Sequence, residues 1–240
     1  MSAFFSVAGV SKRFRGLVAV DRASFDVARG EIFAVIGPNG AGKTTLFNMI
    51  AGALRPDEGQ IAFQGERIEG LRPDEVCRRG IARTFQIVRP FPALTVEDNV
   101  MVGALLRTAD VARAATTAHE VMRRLDLFDK RGRVAKSLTL PDRKRLEVAR
   151  ALATSPQLLL LDEVMAGLRP TETDRIVAIL RELNAQGLTI LLIEHVMRAV
   201  MALASRVLVL HHGAQIALGK PEAVTREPAV IQSYLGAEAL

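Results

Sequence analysis

Three short apolar runs along the chain predict buried strands. Residues 31–37 form an apolar run that ends in glycine and is followed by a helical pattern, which is typical of a strand that leads through a loop into a helix. Residues 157–162 and 189–194 are apolar at consecutive positions, as expected of parallel strands covered on both faces. These runs predict a mostly parallel core sheet.

A helix is predicted between the second and the third run. Thr171 and Asp174 have the spacing of an N-terminal capping pair, and Gly187 marks the end of the helical pattern. Between them an apolar stripe recurs at helical spacing, formed by Ile176, Ile179, Leu180 and Leu183. The strand, the helix and the next strand together predict a βαβ unit.

The region before this unit predicts an inserted helical subdomain. Thr95 and Asp98 have capping spacing and begin a stretch that keeps helical periodicity as far as Leu127. No strand signal interrupts this stretch. We therefore predict a helical subdomain at residues 95–154.

The N-terminal part of the chain favours an antiparallel edge. It contains short strand-like pieces, including 60–63, and turn residues at 28–30 and 56–59. The resulting prediction is an α/β fold with a mostly parallel core sheet, an antiparallel β edge and the helical insert. The core would comprise residues 1–94 and 155–240.

Composition and the lengths of the apolar runs narrow the class of protein. The chain of 240 residues is 49% hydrophobic and 24% charged, close to ordinary globular usage, which excludes disordered and collagen-like classes. Cys77 is the single cysteine, so no internal disulfide is possible, and no apolar signal segment opens the chain. The apolar runs are far shorter than the roughly 20 residues that cross a bilayer. We therefore expect a cytoplasmic protein that does not span the membrane.

The charge of the chain favours an anionic partner. The net charge is +6 and the pI is about 10.1, which suits nucleotide, nucleic acid or the inner surface of a membrane. Modest basic clusters at 78–83 and 143–145 are not interleaved with aromatic residues. A solvated surface is therefore favoured over contact with nucleic acid.

The strongest chemical signal is a glycine-rich loop where the first predicted strand meets a helix. Its residues are Gly37, Pro38, Asn39, Gly40, Ala41, Gly42, Lys43 and Thr44, which complete the pattern G-x-x-x-x-G-K-[ST]. Glycines let backbone N–H groups turn towards phosphate, and the helix N-terminus adds a favourable dipole. Lys43 would pair with the β and γ phosphates, and Thr44 would offer its hydroxyl to Mg²⁺. The alternative is a chance glycine-rich turn, which the preceding strand disfavours.

The other two predicted strands end in residues suited to catalysis at the same sheet edge. Asp162 could hold Mg²⁺ through water, and Glu163 could polarise the attacking water as a general base. The alternative is that both are solvent-exposed charges. His195 is interpreted as a sensor of the γ-phosphate, the alternative being a structural histidine. Gln86 follows a strand-like segment at 81–85 and could reach the metal or the water.

Together these residues resemble the ATPase subunits of ABC transporters over nearly the whole chain. The resemblance implies a P-loop NTPase fold, hydrolysis of ATP with Mg²⁺, and nucleotide sandwiched between two ATPase subunits. It assigns the phosphate loop to Gly37 through Thr45, the Q-loop glutamine to Gln86, the metal ligand to Asp162, the catalytic glutamate to Glu163 and the switch histidine to His195. Phe14 falls where family members stack an aromatic ring on adenine, the alternative being an ordinary packed phenylalanine.

Within that family, the chain resembles the branched-chain amino-acid uptake branch, on segments that are less specific than the motifs above. They lie at 83–86, 94–100, 145–147 and 231–236. The likeness implies integral membrane permease subunits as partners, an extracytoplasmic solute-binding protein, and a hydrophobic amino acid or a similar small substrate. It also implies a peripheral position on the inner face of the membrane.

The signature segment departs from the pattern of the family. It comprises Leu138, Thr139, Leu140, Pro141 and Asp142, where relatives usually carry Leu-Ser-Gly-Gly-Gln or a near relative. In the family this segment presses on the γ-phosphate held by the other subunit. Pro141 lacks an N–H, Leu140 adds bulk and Asp142 adds negative charge, so weaker binding of phosphate is expected. Thr139 keeps a hydroxyl, and Pro141 suits the start of a helix predicted at 143–153.

These departures suggest an asymmetric pair of sites. Val164 and Arg169 also depart from the family pattern after Glu163. The site completed by a partner's intact signature would hydrolyse ATP, and the site completed by this chain would be slow. Whether the pair is identical or mixed stays open. Coupling to the permease is expected through Gln86 and the apolar residues of 87–94, which alternatively cover the core of the insert.

Two other functions remain open from the sequence. A nucleic-acid-associated ABC ATPase fits the basic charge, but such proteins usually carry tandem ATPase domains or long coiled-coil inserts, and this sequence contains neither. A non-hydrolysing nucleotide switch fits the altered signature segment. The intact Glu163 and His195 disfavour that switch.

Overall fold

The chain forms one sheet with helices between its strands. A computed structural model describes residues 3–85 and 90–235. Within these ranges the strands are β1 (Phe5–Phe14), β2 (Leu17–Val27), β3 (Ile32–Ile36), β4 (Glu58–Phe63), β5 (Glu66–Arg67), β6 (Ile81–Arg83), β7 (Leu158–Asp162), β8 (Thr189–Ile193), β9 (Arg206–His211) and β10 (Ala214–Gly219). The helices are α1 (Lys43–Ile50), α2 (Pro73–Arg78), α3 (Val96–Ala104), α4 (Val111–Arg124), α5 (Leu140–Ala153), α6 (Pro170–Ala185), α7 (Met197–Leu203), α8 (Pro221–Val224) and α9 (Pro228–Leu235). None of these helices is both long and apolar enough to cross a membrane.

Five neighbouring strands form the parallel part of the sheet, in the order β9-β3-β8-β7-β6. Strands β3, β7 and β8 are buried at every position. Alternate side chains of β3 enter different cores, because Ala34 and Ile36 pack on one face of the sheet while Phe33 and Val35 pack on the other. Both faces are therefore covered, and the parallel core predicted from the apolar runs is confirmed.

The N-terminal strands form the predicted antiparallel edge, in which β1 pairs with β2 and β4, and β4 pairs with β5. Strand β10 joins this edge to the core, because it pairs parallel with β2 and antiparallel with β9. Strand β4 begins at Glu58, inside the turn expected at 56–59. The structure gives a further reason why residue 59 is glycine, beyond its place in a turn, and its φ is 87°. A Cβ atom there would lie 2.4 Å from the carbonyl oxygen of Gly9, so glycine lets β1 and β4 approach closely.

The helical insert consists of α3, α4 and α5, and its first helix begins as predicted. Thr95 caps α3, since its hydroxyl accepts the backbone N–H of Asp98 at 3.0 Å and the Asp98 carboxylate accepts the N–H of Thr95 at 3.3 Å. Helix α3 crosses α5 closely at Gly103, where a Cβ atom would lie 2.4 Å from the carbonyl oxygen of Arg150. The apolar faces of the three helices join the core that covers one side of β7 and β8.

Helix α6 begins one residue before the capping pair predicted for it. Its first residue is Pro170, and the residue before it, Arg169, has an extended backbone with φ of −71° and ψ of 157°. The carboxylate of Glu172 accepts the backbone N–H of Arg169 at 2.8 Å. Thr171 therefore lies inside the helix, because proline favours the first helical position and excludes its predecessor from helical geometry.

Candidate active site

The loop between β3 and α1 is held in a conformation that requires glycine. Gly37 and Gly42 have φ values of 147° and 104°. A Cβ atom at Gly37 would lie 2.1 Å from the carbonyl oxygen of Leu210. One at Gly42 would lie 2.2 Å from the carbonyl oxygen of Ala19. The loop is therefore fixed between β2 and the β9-β10 hairpin, with its backbone free to face a ligand on the open side.

Gly42→Ala is expected to lower the free energy of unfolding by at least about 2 kcal/mol, because a side chain would meet both an unfavourable φ and the Ala19 backbone. Urea denaturation of the ligand-free protein measures this loss. Gly40→Ala is the matched control, since Gly40 has a φ of 77° but nothing lies within 4 Å of its added Cβ atom. Equal losses for both variants would show that the close approach to β2 carries no cost.

This loop lines a cleft of about 450 Å³. The loop residues that line it are Asn39, Gly40, Ala41, Gly42, Lys43, Thr44 and Thr45. Phe14 lies at the end of β1 on the same cleft, with 42% of its surface exposed, so its ring is accessible to a ligand. Glu163 also lines the cleft, as does His212, which the sequence analysis did not single out.

Lys43 is buried among the backbone carbonyl groups of its own loop. Its Nζ atom donates to the carbonyl oxygens of Gly37 at 2.7 Å and Pro38 at 2.9 Å. Desolvation lowers the pKa of Lys43, and the carboxylates of Glu163 and Asp162 act in the opposite direction. The structure thus brings these three residues, which are distant in sequence, within electrostatic reach of one another.

Asp162 is a buried carboxylate whose two oxygens differ in their hydrogen bonding. Arg83 donates to its Oδ2 atom at 2.8 Å and, through the other guanidinium nitrogen, to Asn48 of α1 at 2.5 Å. The Oδ1 atom is buried and has no hydrogen-bond partner within residues 3–85 and 90–235. Burial raises the pKa of Asp162, and the bond from Arg83 opposes that shift. An unpartnered buried carboxylate oxygen fits Mg²⁺ or its water, and Thr44 can add a hydroxyl from the cleft.

Glu163 and His195 lie at the ends of adjacent strands. Oε2 of Glu163 is 3.9 Å from Nδ1 of His195, whose side chain is half exposed. The backbone N–H of Glu163 donates to the carbonyl oxygen of Ile193 at 2.9 Å, which joins the ends of β7 and β8. Of the residues predicted from the sequence, Gln86 and the segment 87–89 lie outside the described residues.

Comparison with known proteins identifies the family. Residues 20–166 match the sequence profile described as ABC transporter. The chain belongs to the ABC transporter family. It is 40% identical over 247 residues to the high-affinity branched-chain amino acid transport ATP-binding protein LivG of Escherichia coli (strain K12), covering 96% of this chain and 97% of that protein. It is 38% identical over 246 residues to BraF of Pseudomonas aeruginosa, a protein of the same description, covering 96% of each.

Solved structures support the same assignment. An ATP-binding cassette of an ABC transporter in its ADP conformation matches with a TM-score of 0.89 and 30% identity, over 98% of this chain and 100% of that one. The P-loop NTPase fold expected from the resemblance is thereby confirmed. The chain is an ABC-type ATPase of a transporter, and it binds and hydrolyses ATP.

Helix α5 begins earlier than predicted, inside the segment 138–142. The helix starts at Leu140 rather than at 143, because the Thr139 hydroxyl caps it and Pro141 suits its first turn. Asp142 is buried, and its carboxylate accepts hydrogen bonds from Lys130 at 2.6 Å and Arg145 at 2.5 Å. Burial alone would raise the pKa of Asp142, but its hydrogen bonds, chiefly those from Lys130 and Thr139, hold it below the ordinary value. The bare negative charge expected at this position is therefore neutralised.

Two buried charged residues of the ABC ATPase were not recognised from the sequence as parts of the site. Lys144 of α5 donates through Nζ to the backbone carbonyl oxygen of Glu163 at 2.9 Å. Glu194, which follows β8, accepts the backbone N–H of Met165 at 2.9 Å. A signal for Lys144 was available in the sequence. Val148 follows it by four positions and therefore lies on the same face of α5, and the structure buries both residues.

Glu194 predicts a specific dependence of stability on pH. Burial raises the pKa of Glu194 from 4.5 to about 7, so the folded state favours its protonated form. This group therefore stabilises the fold most at pH values below 4.5, and the contribution is lost as the pH rises through 7. Between pH 5 and pH 8, we expect the free energy of unfolding of the wild type to fall by up to about 3 kcal/mol relative to that of Glu194→Gln. Urea denaturation at both pH values measures it.

The exposed Glu182→Gln is the matched control for this comparison, because Glu182 lies on the solvent side of α6. Its pH dependence should follow that of wild type. Parallel curves for wild type and Glu194→Gln would contradict the prediction.

Proposed function

We propose that this ABC ATPase powers the uptake of branched-chain or other hydrophobic amino acids through a membrane importer. The observation that supports hydrolysis is that Lys43 and Glu163 line one cleft. Asp162 lies within electrostatic reach of Lys43, and Nδ1 of His195 lies 3.9 Å from the Glu163 carboxylate. The likeness to LivG and BraF, which extends over nearly the full length of all three chains, supports the transport role and the solute class.

The residues that the sequence analysis assigned to the site have proposed roles in hydrolysis. Lys43 would exchange its carbonyl partners for the β and γ phosphates, and Phe14 would stack on adenine. Asp162, Thr44 and Gln86 would hold Mg²⁺, which supplies neutralisation of phosphate charge when bound. Glu163 would accept the proton of the attacking water, and His195 beside it would contact the γ-phosphate.

A second ATPase subunit would complete each nucleotide site. In this proposal the segment 138–142 faces the nucleotide held by the partner. Pro141 offers no N–H and the side chain of Leu140 is 40% exposed, so the segment has fewer donors for phosphate than a glycine pair has. The site that it completes would therefore be the slower one, and a mixed dimer would divide the work unequally.

We also propose a docking surface for the permease subunits. It consists of the exposed apolar residues Phe85, Phe91, Leu94, Val102 and Leu105. Phe85 and Val102 line a groove of about 310 Å³ between β6 and the helical insert. The insert at 95–154 would move with ATP binding and carry this surface, and the subunit would sit on the inner face of the membrane.

Co-purification of the tagged chain from its native membrane tests this function. We expect permease subunits to accompany it, and the reconstituted complex to hydrolyse ATP several-fold faster when its binding protein carries leucine, isoleucine or valine. Stimulation by an unrelated solute alone would overturn the solute class. Absence of membrane partners, together with binding to DNA or RNA that weakens steeply with salt, would favour the nucleic-acid-associated class.

A further inference from the structure

The position of the Glu163 carboxylate depends on the turn that follows β7. Glu163 has a φ of 49°, in a region of backbone conformation that residues other than glycine rarely adopt. Such a conformation persists only where its surroundings enforce it. Val164 and Met165 are 2% and 1% exposed, so the turn is enclosed by other elements rather than by solvent.

Two ionisable side chains from different elements bind the backbone of this turn. Lys144, in the N-terminal half of α5, donates through Nζ to the carbonyl oxygen of Glu163 at 2.9 Å. Glu194 Oε1 accepts the N–H of Met165 at 2.9 Å, from the residue after β8. We call Lys144 and Glu194 the turn clamp, because their bonds hold the two ends of the 163–165 segment.

The turn clamp is made of two ionisable groups in a place where charge is costly. Lys144 and Glu194 are 5% and 1% exposed. Desolvation lowers the pKa of Lys144, and Glu194 is the strongest influence that opposes this shift. Buried charges are tolerated when they are hydrogen-bonded and near an opposite charge, and bonds from charged groups are roughly twice as strong as neutral ones. Apolar packing is non-directional, so these two hydrogen bonds are contacts that orient the backbone of the turn.

We propose that Lys144 and Glu194 are positioning residues for ATP hydrolysis, which fix the 163–165 turn and thereby aim the Glu163 carboxylate into the cleft. The inference rests on the proposed role of Glu163 as general base. Neither residue needs to touch nucleotide. Because α5 starts with the signature segment, a displacement of that segment reaches Glu163 through one hydrogen bond from Lys144.

Variants that remove the two bonds test the turn clamp. Lys144→Met and Glu194→Leu remove them, whereas Lys144→Arg and Glu194→Gln keep a donor and an acceptor. The control is Lys220→Met, which changes an exposed lysine before α8. The measurements are kcat, the affinity for a fluorescent ATP analogue, and hydrogen exchange of the backbone at 163–168.

Because a misplacement of about 1 Å can cost roughly 100-fold in rate, we expect kcat to fall at least about tenfold in Lys144→Met and Glu194→Leu, with the analogue's affinity within about twofold of wild type. Exchange at 163–168 should quicken about tenfold in both. Lys144→Arg and Glu194→Gln should recover most of kcat, and Lys220→Met should match wild type.

Unchanged kcat and unchanged exchange in Glu194→Leu would overturn the proposal, as would equal losses in Lys144→Met and Lys144→Arg. If Lys144→Met no longer binds the analogue, the proposal is tested by Glu194→Leu and by backbone hydrogen exchange at 163–168 in Lys144→Arg. Failure of the proposed function has a different signature, since Glu163→Gln would then keep wild-type turnover. The exchange measurement still tests the turn clamp in that case.

Discussion

Glu163→Gln is expected to lower kcat for ATP hydrolysis by about 10² to 10⁴-fold, the usual contribution of a positioned general base. The affinity for ATP should stay within about twofold, because glutamine keeps the size of the side chain and Glu163 lines the cleft without being part of the phosphate loop. Turnover is measured by phosphate release in the complex, and affinity with a fluorescent ATP analogue.

The separation of kcat from affinity is what identifies a base. Glu182→Gln, on the exposed side of α6, should leave both quantities unchanged. A variant that hydrolyses ATP within tenfold of wild type would show that another group accepts the proton. A variant that loses affinity in parallel with turnover would show that Glu163 serves the structure of the cleft.

Lys43→Met is expected to weaken the binding of ATP by about 100-fold, because hydrogen bonds from a charged donor to phosphate are worth about 3 kcal/mol. The free energy of unfolding without nucleotide should stay equal or rise. Desolvation already lowers the pKa of Lys43, so the ligand-free fold carries the cost of a buried ammonium. Methionine keeps the length of the side chain without that cost.

Equilibrium binding and urea denaturation of one preparation test both halves of this expectation. Lys220→Met, at an exposed position, is the matched control and should change neither. Retained affinity in Lys43→Met would mean that the loop backbone alone holds the phosphates. A large loss of stability without nucleotide would mean that the bonds to Gly37 and Pro38 are structural.

The sequence was informative wherever a local pattern carries the information. Strands β3, β7 and β8 could be predicted because each is a continuous apolar run, apart from Thr189 at the start of β8 and Asp162 at the end of β7, and such runs are typical of strands covered on both faces. The phosphate loop is a contiguous motif, and parallel strands end at one edge of a sheet, so Asp162 and His195 could be placed near it. Thr95 could be identified as a cap for the same reason, since its partner is three residues away.

Boundaries set by competing local signals were less certain. Helices α5 and α6 begin near prolines, at Leu140 and Pro170, and the starts predicted for them lay three and two residues later. Proline fixes its own φ and the backbone before it, and this constraint outweighed the threonine signal at Thr171.

By itself, then, the sequence determined the parallel core, the loop that surrounds phosphate and the strand ends that carry the catalytic candidates. The tertiary structure alone decided which distant side chains meet: Lys130 with Asp142, Arg83 with Asp162, and Lys144 with the backbone of Glu163. The physical reason is that periodicity and motifs report forces between neighbours in sequence. The neutralisation of a buried charge depends on where separate elements pack, and only the folded chain fixes those distances.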